Sequence, residues 1–326
     1  MRKLNPFAKK TAADTTGDNV DASAVLGQPL ADSLAAAVDS TPGLSSLLVT
    51  TASAVRPEDV EDPTVTVVGV VIDTSWSAYE FMPIIGQSHD ELVKALLPAQ
   101  TEGVTILMTA STLDGQLIYP LTRLGDIRLF GRETGRADGE LDYNHMKTAF
   151  NLIDNTPLRD RVKEQVTALM AELLKWENPT VARTVNVISA VLTDGLDNTS
   201  KTKVSELSDL IGEIEDSGCF TGVATMIAKL DDKFRETLIR NITGTNRHGE
   251  TVPGHSNSHT LPEGYAEMTT EELLRWWCYE QGLAAEHGRL FLPGDDPKAI
   301  RRAVGQMSQA AFQASTGAFR EDADTE

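Results

Sequence analysis

The stretch Val65-Thr66-Val67-Val68-Gly69-Val70-Val71-Ile72 runs directly into Asp73-Thr74-Ser75-Trp76-Ser77. Its first eight residues are almost all β-branched, with Gly69 the one gap. Side chains of that shape fit a pleated surface. An unbroken run, rather than an alternating one, predicts a strand covered on both faces, as at the centre of a parallel sheet. The loop after it gathers one carboxylate, Asp73, and two hydroxyls, Ser75 and Ser77, around one point. Oxygen donors in that number suit a hard divalent cation such as Mg²⁺, or Mn²⁺ or Ca²⁺, which keeps waters and an open position.

A second run of the same kind lies about 120 residues on. Val185-Asn186-Val187-Ile188-Ser189-Ala190-Val191-Leu192 leads into Thr193-Asp194-Gly195-Leu196-Asp197-Asn198. It delivers another carboxylate, Asp194, at a strand's carboxyl end, with Gly195 where the chain must turn sharply. Ligands of open α/β sheets bind beyond the carboxyl ends of neighbouring strands, so the two loops are expected to converge on one ion.

These two elements, D-T-S-W-S and L-T-D-G in that order and after strands, resemble the metal-ion-dependent adhesion site of the von Willebrand factor type A family. The resemblance spans roughly residues 63 to 319. It implies that Ser75 and Ser77 ligate the ion directly and that Asp73 and Asp194 act through ordered waters. It also implies a threonine from an intervening loop, in a Gly-Gly-Thr-x-Leu setting before a helix. The corresponding stretch is read as residues 137–146, where no threonine stands. Glu140 or Asp142 is there the nearest oxygen donor, with Thr134 upstream as a third option. An acidic ligand in that place would partly neutralise the cation and weaken its pull on a partner's carboxylate.

Composition bounds the rest. A formal charge of −19 on 326 residues opposes nucleic acid or an anionic membrane as main partner. It suits basic partners and cations. Cys219 and Cys278 form no disulfide framework, which fits a reduced compartment. The basic start, Met1 to Phe7, has no apolar signal core after it, and no stretch is long enough to span a bilayer. A cytoplasmic location is therefore expected.

Residues 1–60, rich in Ala, Ser, Thr and Asp, read as a flexible leader. From residue 61 to about 320 strands and helices alternate, and an acidic tail follows at 321–326. Strands are expected at 65–72, 104–109, 116–120, 185–192, 219–227 and 289–292. Leu113-Asp114-Gly115 marks a hairpin turn and hence an antiparallel edge strand. Helices are expected at 88–97 with Ser88 as N-cap, and at 144–153, 157–176, 204–216, 231–242 and 296–312. The economical fold class is α/β, a doubly wound, mostly parallel sheet with one antiparallel edge strand.

Residues 243–287 form an insertion that fits least well. Its first half is loop-like, dense in Gly, Pro, Asn and His, and Met268 to Glu272 starts a helix carrying Trp276 and Trp277. Connections of that length are usually functional, which makes the segment a candidate for partner recognition. The spacing of His248, His255 and His259 matches no closed zinc site. Adjacent helical residues point about 100° apart, so one tryptophan packs inside and the other, taken as Trp277, anchors a partner. Trp76 would sit at the rim of the cation crevice.

No phosphate-binding G-x-x-x-x-G-K-[ST] or G-x-G-x-x-G element and no G-x-S-x-G nucleophile elbow is present. The expected function is a divalent-cation-dependent protein-binding module that engages a partner's Asp or Glu. The family resemblance implies a partner such as an ATPase or kinase of the same system. Two alternatives stay open: an Mg²⁺-dependent phosphotransfer enzyme built on Asp73, and a metal-independent component of an assembly.

Overall fold

The computed structural model describes residues 55–100, 103–133, 141–176, 184–215, 220–253, 255, 257–283, 289–291, 302 and 306. The leader, the expected closing helix at 296–312 and the acidic tail lie outside the described residues, as do Thr134, Glu140 and Cys219.

Six strands build the sheet: β1 (Thr64–Ile72), β2 (Val104–Thr112), β3 (Leu117–Arg123), β4 (Thr184–Thr193), β5 (Phe220–Met226) and β6 (Arg289–Phe291). Their order is 3-2-1-4-5-6, and only β3 runs antiparallel. β1 pairs in parallel with both β2 and β4 along its full nine residues, Ile72 lying beside Thr112 and Leu192. That double pairing explains the unbroken apolar run, since eight of its nine residues are buried. β3, at the edge, buries only Leu121. Its turn is the expected one, with the Gly115 N–H donating to the Thr112 carbonyl.

Side chains alternate along β1 and split the core in two. Val65, Val67 and Val71 face α2 (Leu158–Trp176), α3 (Val204–Glu215) and α5 (Thr270–Glu280). Val68, Val70 and Ile72 face α1 (Met82–Leu96). With helices on both faces, the sheet is a doubly wound α/β fold. Its strand order reverses between β1 and β4, which places the two sequence loops at the topological switch point.

Two helix expectations need correction. α1 starts at Met82, a turn and a half before Ser88, and Pro83 sits in its first turn. Ser88, His89 and Asp90 are buried inside it rather than capping it. His89 bonds Tyr119 Oη through Nε2 at 2.7 Å and Asp90 through Nδ1 at 3.0 Å. Asp90 in turn accepts the backbone N–H groups of Phe130 and Gly131. These polar residues tie the edge strand to the segment that follows it. The helix expected at 144–153 is only a short 3₁₀ turn, Asn144–Thr148. After it the chain must run extended beside the Asp73 loop, where Ile153 N–H donates to Thr74 O and Trp76 N–H to Ile153 O.

The insertion begins where α4 (Asp232–Thr243) ends at Gly244 in the left-handed region, φ 66°. A Cβ there would lie 2.1 Å from the Asn257 carbonyl oxygen, so only glycine lets the insertion fold back so closely. α5 opens with a full capping box between Thr269 and Glu272. Trp277 is fully buried and Trp276 half-buried. Taking Trp277 as the partner anchor is therefore a misassignment. It shares the inner face of α5 with Leu273, Leu274 and Cys278, all one helical face. Cys278 is a buried free thiol, its pKa pushed up by that burial. No described helix is long and apolar enough to cross a membrane.

Candidate functional site

β1 and β4 end side by side, and their register carries one residue further: the Asp73 N–H donates to Leu192 O at 2.9 Å. Asp73 is fully buried. One carboxylate oxygen accepts the Ser75 N–H at 2.8 Å, and the other accepts the Thr193 hydroxyl at 2.6 Å. The first bond folds the loop back as an Asx turn and brings the Ser75 and Ser77 hydroxyls within 2.9 Å of each other. On the neighbouring strand the Thr193 hydroxyl also accepts the Gly195 N–H, at 3.0 Å, while Gly195 adopts φ 82°. Asp194, buried as well, accepts the Leu196 N–H and bonds to Ser77.

Asp73, Ser75, Ser77 and Asp194, distant in sequence, are thus neighbours. Electrostatically the cluster is one-sided. Burial and the charge of Asp73 push the Asp194 carboxyl up to about 7, and the Ser77 hydroxyl pulls it back only in part. Burial likewise raises Asp73 against the lowering effect of its bonds to Ser75 and Thr193. Among the described residues no lysine or arginine forms an ion pair with either carboxylate. Two carboxylates under such desolvation are costly without a cation nearby.

A third loop joins the two. Ser75 and Ile153 form an isolated bridge, and the segment then passes to Thr156, whose N–H donates to Asn198 Oδ1 at 2.8 Å while its carbonyl accepts the Asn198 N–H. Thr156 is buried and lines the same crevice as Ser75 and Ser77. The Pro157 carbonyl then accepts the Arg161 N–H and opens α2. Thr156-Pro157-Leu158 therefore has the Thr-x-Leu pattern, before a helix, that was sought at 137–146. It was missed because no glycine pair precedes it; a Thr-Pro at the start of a strong helix was the available signal.

Of the two acidic candidates in the earlier stretch, Glu140 lies outside the described residues. Asp142 is a correction. Its carboxylate accepts the backbone and side-chain N–H groups of Asn144, at 3.0 and 2.7 Å, and it does not line the crevice. Local turn formation claims its oxygens, as short acidic side chains often do.

The crevice holds about 260 Å³. Trp76 stands at its rim, 57% exposed, with its ring 5.8 Å from Tyr79. Asp154 from the third loop, Arg240 from α4, and Thr245 and His255 from the insertion also line it. The three histidines of the insertion do not gather. His259 packs its ring against Trp277 at 5.4 Å, and the His248 backbone N–H is held by Asn246. Among the described residues no group of three or more His, Cys, Asp and Glu side chains is arranged to hold a metal ion. Hydroxyl oxygens must therefore supply much of any ion's shell here. Two carboxylates with three hydroxyls form an all-oxygen set of the kind hard divalent cations take.

Three residues further along the Asp194 loop, Asp197 organises a second polar cluster. The Asp197 carboxylate accepts the Arg159 N–H, the Ser200 N–H and the Ser200 hydroxyl. The Arg159 guanidinium, fully buried, lies 3.7 Å from it and donates to Thr202 O and Asn257 Oδ1. Asn241 and Asn257 both donate to Asp197 O. The insertion is thereby fastened to the strand that carries Asp194.

Together these features define an α/β protein with an oxygen-lined crevice at its switch point. No family profile and no curated protein matches the chain. Solved structures do. A von Willebrand factor type A protein from Catenulispora acidiphila is 14% identical at a TM-score of 0.38, over 77% of this chain and 43% of that one. The pilus adhesin SpaC from Lactobacillus rhamnosus GG gives 12% and 0.42, over 78% and 30%. The vWF domain of the type V pili tip protein Mfa5 from Porphyromonas gingivalis gives 12% and 0.33, over 77% and 97%. The chain spans less than half the length of the first two.

Proposed function

We propose that this chain is a von Willebrand factor A-like binding module that uses a divalent cation to hold an acidic side chain of a partner protein. The observation that carries this reading is the convergence of two buried carboxylates, Asp73 and Asp194, with no cationic partner among the described residues and with hydroxyls around them. Ser75, Ser77 and Thr156 would hold the ion, Asp73 fixes the loop that aims the two serines, and Asp194 adds charge from the neighbouring strand. Mg²⁺, when bound, supplies a coordination position that a partner's Asp or Glu fills. With a hydroxyl from Thr156 rather than a third carboxylate, the ion keeps more of its charge for the partner.

One feature speaks against the phosphotransfer alternative. Asp73 is fully buried with both oxygens engaged, so it is poorly placed as a nucleophile.

The test is calorimetric titration of Mg²⁺ into the natural protein and into Asp194→Ala, followed by a partner pull-down in Mg²⁺ and in EDTA. Binding of one ion that the substitution abolishes, with partner retention only in Mg²⁺, is the expected result. A protein that binds no Mg²⁺ at millimolar concentration, or that keeps its partner in EDTA, ends the proposal. In that event the metal-independent assembly role becomes the reading to pursue.

A further inference from the structure

The crevice carries a cation of its own, Arg240, on the last turn of α4. Arg240 pairs with neither Asp73 nor Asp194. Its Nη2 donates to Thr237 Oγ1 at 3.1 Å, and its Nη1 lies 3.8 Å from the exposed carboxylate of Glu236, beyond hydrogen-bonding range. A guanidinium presents five N–H donors in a fork matched to a carboxylate, and Arg240 commits one of them.

His255 lines the same space. Its Nδ1 accepts the Asn257 N–H at 3.1 Å, so a neutral ring carries its proton on Nε2 and offers a donor there. Burial favours that neutral form by lowering the ring's pKa. The crevice thus has a hydroxyl-lined side, backed by Asp73 and Asp194, that suits a cation, and a side with Arg240 and His255 donors that suits an anion.

We infer that the crevice receives a partner segment bearing two carboxylates, one for the bound cation and one for Arg240. The inference rests on the cation-dependent reading above and names the ligand for it. A carboxylate fits better than a phosphate group, because Arg240 is a single charge with Glu236 beside it, and the crevice lining already holds the acidic Asp154. The second carboxylate has two possible sources: the chain terminus of a partner that ends in Asp, or a neighbouring acidic side chain within a partner.

Three acetylated peptides separate these cases in saturating Mg²⁺: one ending in Gly-Gly-Asp with a free terminus, the same peptide amidated, and an amidated peptide containing Asp-Gly-Asp. At least one two-carboxylate peptide is expected to bind about tenfold or more tightly than the single-carboxylate amide, the size of one good charge-assisted contact. Whichever does so names the source. Arg240→Gln should erase that advantage without weakening Mg²⁺ binding, since it removes a like charge from the cation's crevice. Arg240→Lys, which keeps the charge and loses the fork, should retain only part of it. Equal binding of all three peptides, or a preference that survives in either variant at full strength, overturns the inference. The Mg²⁺ titration of the natural protein keeps the two ideas apart. A protein that binds Mg²⁺ without discriminating the peptides sinks this inference alone, and one that binds no Mg²⁺ sinks both.

Discussion

Asp194 and Asp197 stand three residues apart on one loop, both buried, and their surroundings are opposite. Asp197 lies against Arg159 and accepts backbone and hydroxyl donors, with two asparagines locking the same loop through its carbonyl. Asp194 has Ser77, one backbone N–H and a second carboxylate as neighbours, and its pKa rises to about 7 in consequence. A buried charge that is satisfied holds a structure together. A buried charge left unsatisfied near an open crevice is the candidate for binding something else. The rigid member stands three residues further along the same loop, so it holds in place the segment that carries Asp194.

The largest effect tests the rigid half. Arg159→Met leaves Asp197 buried without its guanidinium and should cost about 3–5 kcal/mol, the usual penalty for breaking one side of a buried pair. Urea unfolding at fixed pH measures it. Asp194→Asn should behave in the opposite way in metal-free buffer, with no loss of stability, because it removes a charge that nothing pairs. If Asp194→Asn proved as damaging as Arg159→Met, the contrast between the two aspartates would be empty.

Next in size is the response to metal. Any ligand that binds only the folded chain stabilises it by RT ln(1 + [L]/Kd), about 2.7 kcal/mol at a hundredfold excess over Kd. Thermal unfolding of the natural protein should therefore shift upward in Mg²⁺ and return in EDTA. Asp194→Asn and Ser75→Ala should show little or no shift. An equal Mg²⁺ response in all three would assign the effect to the acidic surface in general.

How much of this contrast the sequence could reveal depends on the kind of signal. β1 and β4 were readable because a strand buried on both faces must be apolar throughout, and β3 because Asp114-Gly115 specifies a tight turn. The start of α5 was readable from Thr269 and Glu272. Local chemistry decides each of these. α1 was misread because Ser88-His89-Asp90 has the composition of a cap, while its partners, Tyr119 and Phe130, lie 30 or more residues away. Asp197 and Arg159 carried no signal at all, since a long-range ion pair leaves no periodic trace. Trp277 did leave one: Leu273, Leu274 and Cys278 fall on its helical face, and that spacing selects it for the core over Trp276. Within the site, the two loops from β1 and β4 were legible and Thr156 was not, because its loop lacks the glycines and is placed by contacts with Ser75 and Asn198.

Thr156→Val asks whether the third loop belongs to the reactive half or only to the frame. The swap keeps the shape of the side chain and removes its hydroxyl. Groups that support a metal's ligands are commonly worth about 10–100-fold in affinity, so Mg²⁺ binding should weaken at least about tenfold. Calorimetry in parallel with unfolding separates this from general damage. Weaker Mg²⁺ binding at near-normal stability assigns Thr156 to the ion. Lost stability with unchanged Mg²⁺ affinity assigns it to the frame with Asn198.

Smallest in energy is the change at the rim. Trp76 stands 57% exposed, supported mainly by Tyr79 at 5.8 Å, and Lys147 lies 4.9 Å over the Tyr79 ring. Substitutions at such surface positions usually change stability by no more than about 0.5 kcal/mol, so Trp76→Ala should unfold close to the natural protein. Its Mg²⁺ affinity should also be unchanged, because the loop geometry depends on Asp73 and not on the indole. Partner binding is the exception. An exposed tryptophan beside a coordination position has the character of an interface anchor, and truncating such a residue commonly costs more than 1 kcal/mol of binding. A pull-down in Mg²⁺ that retains partner equally with Trp76→Ala would confine recognition to the crevice itself, between the ion and Arg240.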